Sequence, residues 1–282
     1  MKMKKKTKKH IVDAFIYVIM TLVSLTMLFP FIWMISTSLK EKTAALEIPI
    51  RLIPDPIVWE EYSRLWKVIP LLTGVKNTLI IAVPLIVCGQ LMSALSAFAF
   101  AKMEIPAKKT LFMGLLSTMM IPGIITMIPQ YVVWGNLGLT DSFVPLIAPG
   151  LLGSVGSMFF YRQYLNGVPR ELIEVSRIDG ASWMKVFTTI FLPLMRPAIA
   201  TQVIFGFMGV WNDFMGPLIY LDSESKYTVQ LMLRLLNSMG EATSEYPLIM
   251  AGAVVSCIPL LALYICFQRY FVDTMVITGI KG

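Results

Sequence analysis

The chain has 282 residues, of which 56% are hydrophobic and 15% charged, too apolar for an ordinary soluble domain that must cover its core with polar surface. A net charge of +7 does not point to nucleic acid, because the basic residues lie in short loops and at the N-terminus. Nucleic-acid binding needs a basic face on a water-exposed domain.

Apolar stretches in chain order fall near 14–36, 78–100, 110–133, 143–165, 194–220 and 247–271. A helix rises about 1.5 Å per residue, so about 20 apolar residues cross a hydrocarbon core of roughly 30 Å. The runs are continuous rather than alternating, which predicts helices and not a barrel. The expectation is an all-α polytopic membrane protein with six transmembrane helices. Residues 1–13 form a basic tail, 14–272 the membrane domain and 273–282 a second tail. The tail could serve as a signal-peptide n-region, but the apolar run stays bulky to its end (Phe29, Phe31, Trp33). An uncleaved first helix fits better.

Sixteen Lys and Arg residues fall on one side of this topology and eight on the other. The richer side carries both termini and is expected to be cytoplasmic. Prolines recur inside the spans (Pro30, Pro84, Pro122, Pro129, Pro259); each removes an intrahelical hydrogen bond and favours a kink. Gly150, Gly153 and Gly156 permit close helix approach. Gln90, Gln130 and Gln202 are read as interhelical hydrogen-bonding residues rather than substrate contacts.

What the spans lack narrows the function. Asp213 is the ionisable residue set within an apolar stretch, and the single histidine, His10, lies in the tail. Ion-coupled carriers place several such groups at mid-membrane. No nucleophile–base pair suggests an enzyme, and Cys88, Cys257 and Cys266 have neither disulfide nor metal spacing. No cofactor or metal is expected. The phosphate-cradling pattern G-x-x-x-x-G-K-[ST] is missing, so energy for uphill transport must come from another chain.

The segment from Tyr161 to Thr201 carries the strongest local signal. Pro169 suits a first helical position, with Glu171 and Glu174 near the positive helix end. Leu172, Val175 and Ile178 form one apolar stripe, and Glu174 faces Arg177 at i, i+3. Asp179–Gly180 breaks the helix, since Gly takes positive φ, and Ser182 can cap a second short helix. The product is an elbow suited to a groove on a soluble partner.

Glu174-Val175-Ser176, three residues, Gly180, nine residues and Ile190-Phe191-Leu192-Pro193 resemble the EAA loop of permease subunits of binding-protein-dependent ABC importers. Val175-Ser176 replaces the usual pair of alanines. The loop spans about 166–193. Pro169, Asp179-Gly180-Ala181-Ser182, Met120-Ile121-Pro122, Gly138 to Ser142 and Trp211-Asn212-Asp213-Phe214 are similar to the carbohydrate branch, and to its second, maltose-type membrane subunit. The tail departs at Thr274 and Thr278, where glycines are common.

That resemblance implies a type I importer fold with a cytoplasmic coupling helix. It also implies partners: a second homologous permease chain, two cytoplasmic ATPase subunits and an extracytoplasmic substrate-binding protein, with a carbohydrate as cargo. Glu174 would orient the elbow, Gly180 allow its turn and Asp179 hold the turn by accepting backbone hydrogen bonds. Ala181 would give room for contact, and Lys281 and Gly282 would reach the ATPase. Trp211, Asn212 and Asp213 read either as an interfacial belt with a polar helix end or as a pathway or gate. A permease for a polyamine or peptide, and less closely an ion-coupled carrier, stay open as alternatives. The pattern does not name the cargo.

Overall fold

In this computed structural model, residues 2–49, 51–238 and 245–279 are described, with the backbone alone for 2–9 and 271–279. Among the described residues every regular element is helical. Helix α1 spans Lys2–Ser38, α2 Glu60–Val68, α3 Leu71–Pro84 and α4 Gln90–Lys102, with a π-helical turn Leu85–Gly89 joining the last two. Then come α5 Lys108–Thr118, α6 Gly123–Asn136, α7 Val144–Ile147, α8 Val155–Asn166, α9 Glu171–Ile178, α10 Trp183–Val186, α11 Leu192–Leu194 and α12 Arg196–Trp211. A second π-helical turn, Phe187–Phe191, joins α10 to α11. Helices α13 Met215–Tyr220, α14 Val229–Ser238 and α15 Tyr246–Gly279 follow.

Four stretches are long and apolar enough to cross a membrane: His10–Ser38, Leu71–Lys102, Val144–Asn166 and Tyr246–Tyr270. Two further crossings arise if each of two bent pairs counts as one: α5 with α6, bent by 86°, and Trp183–Leu194 with α12, bent by 76°. Both bends have a local cause. Ile121 precedes Pro122, and a residue before proline is pushed out of the α region. At the second bend Pro197 sits in the first turn of α12, where its missing N–H costs nothing. Pro30 and Pro259, by contrast, lie inside uninterrupted helices. Proline alone therefore does not decide where these helices break.

The chain divides into two compact units, residues 1–69 with 233–257 and residues 70–232 with 258–282. In the first, Ser38 Oγ lies 2.8 Å from Tyr62 Oη, and the Val58 N–H donates to the Leu39 carbonyl at 2.8 Å. Leu65 is fully buried. An ionic clasp fastens α2 to the start of α15: Arg64 Nη2 donates to Glu245 at 2.9 Å, and Lys42 Nζ to the same carboxylate at 2.9 Å. Arg64, and then Lys42, hold the Glu245 carboxyl at about 2, against an ordinary 4.5. A depressed folded value means the clasp stabilises fully above pH 4.5 and is lost as pH falls towards about 2. The stability gap between wild type and Glu245→Gln is accordingly expected to close on acidification below about pH 4, read by thermal unfolding in detergent. A constant gap would remove the ion pair from the account.

The second unit holds a buried apolar core: Ala94, Ala97, Phe98 and Ala101 of α4 pack with Met158, Tyr161 and Leu165 of α8. Small residues on α4 bring the two backbones together. Closer still is the approach of the π turn to the segment after α7. A Cβ on Gly89 would lie 2.7 Å from the Gly150 carbonyl oxygen, and one on Gly153 2.6 Å from Ser93 Oγ. Gly156 differs, since a Cβ there meets only Met119 Cε at 3.7 Å, an ordinary contact.

Candidate functional site

The elbow is built on Phe98 of α4. The rings of Trp183, Phe187 and Phe191 lie 6.3, 5.4 and 5.0 Å from it, within the range of tilted aromatic packing. From α9, Ile173 enters the same core. The stripe foreseen from the sequence points elsewhere: Leu172, Val175 and Ile178 are 39%, 61% and 86% exposed. One residue of α9 thus anchors it, and its regular apolar face is left uncovered by this chain.

Backbone hydrogen bonds close the turn after α9. The Ala181 N–H donates to the Ser176 carbonyl at 3.0 Å and the Gly180 N–H to the Arg177 carbonyl at 3.1 Å, with Gly180 at φ +78°. This is a Schellman turn, which places a left-handed residue just past the helix. The Lys185 N–H then donates to Ser182 Oγ at 3.3 Å and α10 begins.

Two expected contacts are replaced. Arg177 does not pair with Glu174; it donates to the Ala181 carbonyl at 2.9 Å and stacks 5.1 Å above the Trp183 ring. Asp179 accepts no hydrogen bond among the described residues, because the backbone already satisfies the turn. Glu174 is exposed and borders a hollow of about 320 Å³ shared with Lys102, Arg170, Ile173 and Trp183.

Lys102, one of the sixteen basic residues counted on the richer side, closes α4. It is 7% exposed, donates to the Val168 carbonyl and lies 5.8 Å from the Phe191 ring. It therefore ties the end of α4 to the strap leading into the elbow. A lysine closing an otherwise apolar helix was the available signal.

Midway along the apolar helices lies a cleft of about 380 Å³, walled by the π turn, α4, α8 and α12. Tyr161 Oη donates to Gln90 Oε1 at 2.8 Å, Ser157 Oγ to Gln202 Oε1 at 3.0 Å, and the Ser154 N–H to Ser93 Oγ at 2.9 Å. Gln90 and Gln202 do bond between helices, as expected. Gln130 is exposed and makes no interhelical bond among the described residues.

The Trp211-Asn212-Asp213 group lies beside this cleft without lining it. Trp211 is buried and stacks on Phe207 at 5.2 Å, and its carbonyl accepts from Gln230 Nε2 at 3.1 Å. Asn212 Nδ2 donates to the Met208 carbonyl at 2.9 Å, and Asp213 Oδ1 accepts the Gly216 N–H in the first turn of α13 at 3.1 Å. Val210, one residue earlier, is the residue that reaches the cleft. Lys281 and Gly282 lie outside the described residues.

A second clamp was not foreseen. Asp141, at φ +52°, accepts from the Asp222 and Ser223 N–H groups at 3.0 Å each and from Lys226 Nζ at 2.7 Å. Lys226, and then Ser223, hold its carboxyl well below the usual carboxylate range. The connection after α6 is thereby fixed to the connection after α13. Its two halves stand some eighty residues apart in sequence, so local reading had no access to it.

Among the described residues the chain is all-helical, with helices long and apolar enough to cross a membrane, a cleft between them and an exposed apolar elbow, the features of a polytopic membrane protein. Residues 2–276 match the family model described as binding-protein-dependent transport system inner membrane component, and the chain belongs to that family. Membership makes it one part of a multi-component system in a membrane. The chain is 31% identical over 264 residues to the arabinooligosaccharides transport system permease protein AraQ of Halalkalibacterium halodurans, covering 90% of this chain and 91% of that one. It is 30% identical over 271 residues to the sn-glycerol-3-phosphate transport system permease protein UgpE of Yersinia enterocolitica, covering 94% and 96%. Its fold matches a chain in the crystal structure of a bacterial ABC transporter involved in the import of the acidic polysaccharide alginate. There the TM-score is 0.80 at 22% identity, with 93% of this chain and 97% of that chain covered.

Proposed function

We propose that this chain is one of two homologous permease subunits of an ABC importer for a sugar or oligosaccharide, driven by two cytoplasmic ATPase subunits and supplied by an external binding protein. In this reading each bent pair is a single crossing, giving six, and both termini are cytoplasmic, which the excess of basic residues on that side supports. Residues 14–272 then form the permease domain between two short tails. The relatives named for arabinooligosaccharide and sn-glycerol-3-phosphate transport support a small polyhydroxylated cargo.

The observation that carries the reading is the elbow, whose packing is satisfied by Ile173 and Trp183 while Leu172, Val175 and Ile178 stay uncovered. An amphipathic helix with its apolar face uncovered is the form that enters a groove on a partner. Glu174 and Asp179 would make polar contacts there, with Gly180, Ala181 and Ser182 shaping the turn. Trp211, Asn212 and Asp213 act in this scheme as the shoulder of a gate, because they join α12 to α13 beside the cleft. Lys281 and Gly282 are assigned to the ATPase contact on the resemblance alone.

Gly180 provides the test. A Cβ there meets nothing within 4 Å, so the cost of substitution is the left-handed backbone itself, about 1 kcal/mol for Ala and more for a β-branched residue. In the reconstituted complex, Gly180→Asn is expected to keep near-normal stimulation of ATP hydrolysis by loaded binding protein. Gly180→Ala should lose about fivefold of it, and Gly180→Val nearly all. Equal activity in all three variants would sink the coupling role.

A further inference from the structure

The cleft between the π turn, α8 and α12 is more than a packing defect. Its polar atoms are not fully spent on one another. The Ser93 hydroxyl donates to the Gly89 carbonyl at 2.7 Å and accepts the Ser154 N–H at 2.9 Å, and the Ser157 hydroxyl both donates and accepts. The two carboxamides differ. Their oxygens are occupied by Tyr161 and Ser157. The Gln90 Nε2 group reaches only the Gln202 carbonyl, at 3.4 Å, and the Gln202 Nε2 group has no partner among the described residues. Both glutamines are only partly buried, so these N–H groups face the open space of the cleft and can donate to a molecule that enters it.

The surroundings define what would fill it. No charged side chain lines the cleft, so this wall offers neither a cation for a phosphate or carboxylate nor an anion for an ammonium group. Phe205, half-exposed, also lines the cleft. A volume of about 380 Å³ falls at the small end of the range for small-molecule sites, roughly 300–1,000 Å³. Donors without charge in a cleft without charged side chains match hydroxyl and ether oxygens on an uncharged ring.

We propose that this chain binds cargo directly in the cleft, that Gln90 and Gln202 donate to the oxygens of a neutral saccharide, and that anionic and cationic solutes are poorly held there. The proposal rests on the permease reading and deepens it. Tyr161 is a positioning residue, because its hydroxyl holds the Gln90 oxygen and so turns the N–H groups towards the open space.

The test uses the assembled transporter with Cys88, Cys257 and Cys266 changed to Ser and a reporter thiol introduced by Val210→Cys on the cleft wall. The rate of methanethiosulfonate labelling is measured with millimolar arabinotriose, maltotriose, sn-glycerol 3-phosphate or spermidine. At least one neutral saccharide is expected to slow labelling several-fold, and the charged probes are expected to have little effect. In Gln202→Leu and Gln90→Leu the concentration giving half-protection should rise about fivefold or more, as for loss of one hydrogen bond, while Gln130→Leu leaves it unchanged. Equal protection by sn-glycerol 3-phosphate or spermidine, or unaltered protection in both glutamine variants, would overturn the proposal. Absence of protection by either saccharide would also overturn it, while ATP-driven uptake by the same complex would leave the permease reading standing.

Discussion

Ile178→Glu is expected to abolish stimulation of ATP hydrolysis by the loaded binding protein while leaving the membrane bundle folded. Ile178 is 86% exposed and Val175 61%, so a carboxylate at 178 displaces no internal packing and costs the isolated chain little. Against an apolar groove on an ATPase it would bury an unpaired charge. Central interface positions of this kind lose 2 kcal/mol or more on substitution, roughly thirtyfold or more in binding. The measurement is ATPase activity in proteoliposomes together with co-purification of the ATPase. Ile173→Glu serves as contrast: Ile173 is 7% exposed and belongs to the core around Phe98, so that variant should be lost to misfolding instead. Normal stimulation in Ile178→Glu would mean that the uncovered ridge is not the coupling surface.

Gly89→Ala is expected to destabilise the bundle by overpacking. The added Cβ would stand 2.7 Å from the Gly150 carbonyl oxygen, which is backbone and cannot rotate away. Overpacking of this kind costs about 1–3 kcal/mol. The partner position behaves differently, because a Cβ on Gly150 meets the tip of Leu85 at 2.5 Å, and a leucine terminus can change rotamer. Gly150→Ala should therefore cost less, and Gly209→Ala, with nothing within 4 Å, close to nothing. Thermal unfolding of the three variants in one detergent checks the order Gly89, Gly150, Gly209. Equal stabilities would mean that the π turn slides freely on the segment after α7.

Both predictions depend on facts of different legibility. The periodicity of Leu172, Val175 and Ile178 was readable, since a stripe at i, i+3 and i+6 follows from helix geometry alone. Which way it faced was not readable. That is decided by Phe98, some 75 residues earlier in the chain, where the rings of Trp183, Phe187 and Phe191 gather and draw Ile173 inward. The Glu174–Arg177 pair was a reasonable expectation from spacing, but a surface ion pair is worth little. A carbonyl at Ala181 and the face of Trp183 together outcompete it.

What the sequence determined by itself was local. Apolar runs of membrane-crossing length, the polar break at Asp179–Gly180, the left-handed glycine and the Ser182 cap each depend on neighbours within about five positions, where helix hydrogen bonding and sterics decide. The tertiary structure decided everything that needs distant residues to meet: the approach of Gly89 to Gly150, the Asp141 clamp and the spare donors of Gln90 and Gln202. A glutamine in an apolar helix announces only that some partner must satisfy it. Whether its amide is spent on a neighbouring helix or left facing a cleft depends on the packing of three helices together, and no one of their sequences carries that information.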